Sequence, residues 1–131
     1  MMDQILTIRL YAAGIGIVVG EFLGSFDDLL YALVAFVTTD YITGVLRAIV
    51  EKKLSSAIGF KAICKKVCIF TLVGVANVLD VHIIGSGCVL RSAVIFFYIS
   101  NEGISIIENA ARMGLPVPQK LQDMMHSLRD K

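Results

Sequence analysis

Four stretches of this chain, roughly Ile5–Phe26, Leu29–Leu46, Val67–Ile84 and Cys88–Ile107, are apolar over close to the length that a bilayer-spanning helix needs, about 17–25 residues. In a chain of 131 residues, 56% of them hydrophobic, one small core cannot hide that much apolar surface. A soluble domain of this size is about 45–50% apolar. Lipid is the solvent that fits, and the mean hydropathy of +0.78 agrees. The sequence therefore predicts an all-α, polytopic transmembrane helix bundle of four spans, with three as the alternative, forming a single membrane domain over residues 1–131 with a tail over 108–131. No span is free of charge. The longest uncharged runs are Leu10–Gly20, Leu29–Thr39, Val67–Leu79 and Ser92–Asn101, so each span is completed only by accepting Glu21, Asp40, Asp80 or Glu102.

The loops give an orientation. Between the second and third segments lie Arg47, Lys52, Lys53, Lys61, Lys65 and Lys66 against Glu51 alone. Such an excess of basic residues anchors a loop in the cytoplasm. Four spans then put both termini inside, and the tail, with Arg112, Lys120, Arg129 and Lys131, agrees. The first loop carries Asp27 and Asp28 with no Lys or Arg, and the third has only His82 before Arg91. The basic loop reads as a short interfacial helix, capped by Ser55 or Ser56, with Lys61 and Lys65 on one face. Gly114, Pro116 and Pro118 stop the last span, since proline cannot donate to a helical ladder. Beyond them Leu121, Met124, Met125 and Leu128 repeat with the spacing of a small amphipathic helix. No basic region precedes the first apolar stretch, as a secretory signal would require.

The informative residues are polar groups inside the spans. A charge at mid-bilayer costs about 2.5–3.5 kcal/mol on the most lenient scale, so these groups must face protein, water or headgroups. Asp40, Thr43, Gly44 and Arg47 share one face of the second helix. Asn77 and Asp80 share a face of the third. Glu102, Ser105, Asn109 and Arg112, with Asn101 beside them, make a polar stripe on the fourth. These stripes act either as interhelical glue or as the lining of water in an assembled pore. A single copy is expected to leave them poorly satisfied, which favours self-association. Gly16, Gly20 and Gly24 recur every fourth residue and allow close helix approach, between copies or within one. Cys64, Cys68 and Cys88 fit no metal or disulfide pattern, with only His82 and His126 as histidines. No enzyme motif is present, and the basic cluster between two spans gives no reason to invoke nucleic acid.

From about Asp40 to Leu121 the chain resembles the bacteriophage holins of the toxin-secretion and phage-lysis type. The resemblance is carried by Asp40, Thr43 and Gly44 late in a span, then Lys53, Leu54, Ser55, Ser56 and Gly59, then Lys65 and Lys66 opening the next span, and Asp80 near its end. It closes with Glu102, Ser105, Ile106, Glu108 and Asn109, followed by Gly114, Leu115, Pro116, Val117 and Pro118. What it implies is a multi-pass protein of a bacterial cytoplasmic membrane that accumulates harmlessly, then oligomerises into lesions releasing an endolysin or toxin. Its partners would be the lipid bilayer, copies of itself and, in some systems, an antiholin, with no cofactor. Members are often drawn with three spans, which leaves the first segment here as a fourth helix or a peripheral one. Two rivals stand beside this reading. One is a small proton-coupled four-helix exporter using Glu21, which the loop-charge bias disfavours; the other is an antiholin or scaffold with the same pattern.

A reporter fused to the C-terminus should be active in the cytoplasm. Activity only outside the cell would overturn the orientation, whereas an external N-terminus alone would indicate three spans.

Overall fold

Short local signals set where each helix starts and stops. Asp27, in extended backbone, accepts a hydrogen bond from the Leu30 amide at 2.9 Å and opens α2 (Asp28–Val50). Ser55 does the same for the Ile58 amide at 3.4 Å and opens α3 (Ser56–Val78). α1 (Met2–Leu23) ends at Gly24, whose φ of 90° is the left-handed conformation that satisfies the last carbonyls at little cost without a Cβ. α4 (Val89–Arg112) ends the same way at Gly114, and α5 (Gln119–Asp130) follows directly on Pro118. The computed structural model describes residues 1–85 and 87–130; outside the helices these are turns and irregular backbone, with no strand among them. Lys131, one of the basic residues of the tail, lies outside that range.

One expectation needs correcting. The basic segment after Ser55 is not a separate interfacial helix. With no proline to interrupt it, the helix capped by Ser55 runs through Lys61, Lys65 and Lys66 into the third span, which therefore begins eleven residues before Val67, at Ser56. A π-helical segment, Leu79–Ile84, extends it to 29 residues in all. With α1, α2 and α4, it makes four helices long and apolar enough to cross a membrane.

The apolar core belongs to three of them. Leu30, Leu33 and Val37 from α2 meet Ile69 and Val73 from α3 and Ile95 and Ile99 from α4. Each set is spaced three or four residues apart, so each helix turns one stripe inward. α1 buries no residue. It touches the bundle at its C-terminal tip, where the Phe22 ring lies on Gly74 of α3, in space that any side chain at 74 would occupy. α5 folds back on α4, seating Met125 over Gly103.

Substitution of Gly74 by leucine should expel Phe22 and loosen the C-terminal end of α1, leaving the three-helix core folded. In detergent micelles, proteolysis between Gly24 and Asp27 should accelerate with little change in helicity. Unaltered protection would show that α1 is held by something other than this contact.

Candidate functional site

Polar residues gather in two layers, one at each end of the apolar core. The first joins the middle of α2, α3 and α4. Lys66 places its ammonium 2.8 Å from Asp40 Oδ2 and 2.9 Å from Glu102 Oε2, and all three side chains are largely shielded. One cation thus holds two carboxylates from two other helices, and the trio carries a residual negative charge. Asn109 continues the layer. Its amide nitrogen donates to Asp40 Oδ1 at 3.1 Å and to Thr43 Oγ1 at 3.0 Å, and its oxygen accepts from Arg47 at 3.2 Å. Arg47 then pairs with Glu51 at 3.4 Å. The result is an unbroken line of ion pairs and hydrogen bonds from Glu51, at the end of α2, to Glu102 in the middle of α4.

Two clefts flank this line. One, of about 210 Å³, lies between α2 and α3, with Gly44, Ala48, Gly59 and Ala62 in its wall beside Tyr41 and Ile58. The other, of about 480 Å³, lies between α3 and α4 and includes Lys65, Asn101 and Leu72. Asp40, Lys66 and Ser105 border both. The α3 helix is therefore tied to its neighbours at this level chiefly through Lys66.

The second layer closes the other end. Asp80, fully buried on the π-helical segment, accepts from the amides of Leu90 at 3.1 Å and Arg91 at 2.8 Å. It caps α4 in place of Cys88, whose side chain makes no capping bond. Arg91 is almost fully buried and reaches the turn between α1 and α2, donating to the carbonyl oxygens of Leu23 and Ser25 at 2.6 and 3.0 Å and to both carboxylate oxygens of Asp27 at 2.9 and 3.2 Å. Ser25 holds a φ of 86°, strained for a residue with a side chain, and the bond to its carbonyl fixes that turn. Asn77 donates to the carbonyl of Phe22 at 3.1 Å.

The candidate residues thus separate. Asp40, Thr43, Glu102 and Asn109 come together, Asn77 and Asp80 belong to the opposite layer, and Asn101 and Ser105 line the clefts. Gly24 caps α1 and also lets Asn77 and Arg91 approach closely within one copy. Gly16 and Gly20 have open space beside them in a single copy. Among the intended topology anchors, Lys66 is turned inward and Arg47 is paired, while Lys52, Lys53, Lys61 and Lys65 are exposed. The expectation that one copy leaves its polar groups unsatisfied is overturned: among the described residues no buried side-chain polar atom lacks a partner. Arg91 was missed by sequence reasoning. Its signal is the acidic first loop, with Asp27 facing the one Arg that follows the third loop.

The family model described as the bacteriophage holin family matches residues 17–130. An uncharacterized protein of Listeria innocua is 44% identical over 124 residues, covering 95% of this chain and 86% of its own. An uncharacterized 14.9 kDa protein in the nagH 3' region of Clostridium perfringens is 40% identical over 108 residues, 82% of each chain. A probable holin of Bacillus phage phi105 is 40% identical over 87 residues, 66% of this chain and 64% of its own. No solved structure matches.

The Arg91 guanidinium, which more than offsets partial desolvation, holds the Asp27 carboxyl below its ordinary value of 3.8. A folded value lowered in this way gives stability that is complete above the unfolded value and is lost as pH falls through the folded one. Arg91→Leu should free the α1–α2 turn and remove that acid sensitivity, measured by thermal unfolding in micelles between neutral pH and pH about 3. Arg91→Lys should not restore it, because an ammonium cannot bridge Asp27 and two carbonyls as the planar fork does. Full rescue by lysine would show that charge alone suffices.

Proposed function

Since the chain belongs to the bacteriophage holin family, we propose that it gathers in the cytoplasmic membrane as sealed single bundles and then oligomerises into lesions through which an endolysin or toxin leaves. The observation that carries this reading is the Lys66 bridge to Asp40 and Glu102. A protein that must wait in a membrane without leaking needs its mid-span charges closed within one copy. A protein that must later open a path for water needs those same charges to be available. One bridge between three helices meets both requirements, because separating α3 from α2 and α4 exposes three ionised groups at once.

The sealed state supplies harmless accumulation. Asp40, Lys66 and Glu102 are paired and largely shielded within one copy, so lipid meets none of these three bare. As copies gather, the in-chain bridge can be exchanged for hydration of Asp40, Lys66 and Glu102 along a shared aqueous space, with apolar faces remaining in lipid. The open flank of α1 along Gly16 and Gly20 gives the copies a surface for close approach. The loop-charge bias supports a cytoplasmic position for both termini and for the 51–55 loop.

Lys66→Met removes the bridge and leaves two shielded carboxylates unpaired, a change that costs on the order of 3 kcal/mol in buried pairs. It should bring killing forward relative to the parent protein, while Glu102→Gln, which keeps the size and most of the hydrogen bonding, should shift killing time with insertion unchanged. The measurement is the time from induction to abrupt loss of membrane potential in a bacterial host, normalised to the amount inserted. Wild-type timing in both variants would remove the bridge from the mechanism.

A further inference from the structure

Met125 fixes how far α5 reaches along the bundle. Its side chain packs on Gly103, which Phe36 of α2 also approaches, and it is 7% exposed. Gly103 stands about 13 Å inside the C-terminal end of α4 at Arg112, taking the rise of a helix per residue. α5 therefore turns back beside α4 to the level of the Lys66 bridge, where the neighbouring helices run inside their spans. Yet α5 is a polar helix. Asp123 and His126, both exposed, lie within one turn of Met125 and so at about its depth.

The polarity of the outer surface at this depth depends on direction. Exposed charge at this level is carried by Lys61 and Lys65 on α3, Glu108 on α4, and Asp123 and His126 on α5, with Leu121 and Met124 exposed beside them. The exposed face of α2 is apolar there, with Ile42, Leu46, Ile49 and Val50. Toward the opposite membrane face α4 turns apolar again, with Phe96 and Phe97 outward. Acyl chains suit the α2 side along its whole length, but they cannot solvate the α4–α5 side in this half of the bundle. The uncharged run on α4, Ser92–Asn101, spans about 15 Å, roughly half of a hydrocarbon core.

We propose that the α4–α5 flank is a surface for phospholipid headgroups and their water, drawn in to the depth of Gly103, so that the leaflet beside this flank is thinned while the leaflet against α2 keeps its depth. Charge complementarity selects headgroups: Lys61, Lys65, Arg112 and Lys120 have no ion-pair partner among the described residues and are placed to meet phosphates. A thinned strip is a standing mismatch whose cost grows with its perimeter, so copies that align their flanks share one strip. In a lesion, resting on the function proposed above, this flank is where the bilayer gives way.

The test uses the full chain, with Cys64, Cys68 and Cys88 replaced by serine, reconstituted in phosphatidylethanolamine and phosphatidylglycerol vesicles opened to both sides. Gly103→Cys with Met125→Cys should form a disulfide on oxidation, showing α5 docked on α4. With that lock in place, Ser127→Cys on the outer face of α5 should react with a membrane-impermeant maleimide on the order of tenfold faster than Leu46→Cys in the same cysteine-free background, since a thiol reacts as the hydrated thiolate. Failure of the lock to form, or equal protection at both positions, would overturn the proposal. Asp123→Leu with His126→Leu should slow labelling at 127, and unchanged labelling would count equally against it. These readings do not depend on killing. A chain that labels as expected but never depolarises a host would leave the flank standing and sink the holin reading alone.

Discussion

An ammonium group in the middle of three packed helices can be stable only if counter-charge reaches it from its neighbours, and Lys66 has two such partners on two helices. The rest of that half of the molecule is arranged around this requirement. The clefts on either side show that apolar packing does not close this level, where Gly44 and Ala48 of α2 and Gly59 and Ala62 of α3 leave space between the helices. The apolar core lies on the other side of the bridge, where Leu30, Leu33, Val37, Val73 and Ile95 interlock. Packing thus secures one half of the bundle, and ion pairing secures the other. The half held by charges can change state when its surroundings change dielectric, since pairing and hydration compete closely for such groups.

The far layer has a different character. Arg91 and Asp80 sit where loops meet helix ends: Asp80 bonds two amides of α4, and Arg91 divides its bonds between two carbonyls of the α1–α2 turn and the Asp27 carboxylate. These bonds terminate and orient helices. They also explain how α1 stays attached while burying nothing, since its last residues are pinned by Arg91, Asn77 and the Phe22 contact.

Much of this was legible in the sequence, for physical reasons that differ by residue. The spans could be read because lipid imposes a length and a hydropathy on every crossing helix. Ser55 could be read as a cap and Pro118 as a boundary because both act locally. The polar face of Asp40 and Thr43 on α2, and its counterpart around Glu102 and Asn109 on α4, followed from helical periodicity, and the structure brings them together. Lys66 was hidden because a charge-counting rule credits every basic residue near a span to the loop, whatever direction its side chain takes. The extent of α3 was hidden for a related reason: hydropathy falls at Lys61, Lys65 and Lys66, but nothing in their backbone preference ends a helix. Asp80 and Arg91 required knowledge of which helix end lies opposite which loop, and periodicity within one helix carries no such information.

The uninterrupted course from Ser56 to Ile84 has a mechanical meaning. The 23 residues Ser56–Val78, about 34 Å of regular α-helix, transmit displacement as a rod, and the π-helical turns Leu79–Ile84 join it to α4. One end carries the exposed Lys61 and Lys65; the other carries Asp80, which grips the first turn of α4. A pull on Lys61 or Lys65 from outside the bundle would pivot this lever about Lys66 and be felt at the start of α4 and, through Arg91, at the base of α1. The surface charge of the membrane and the seating of the outermost helix are then two ends of one beam.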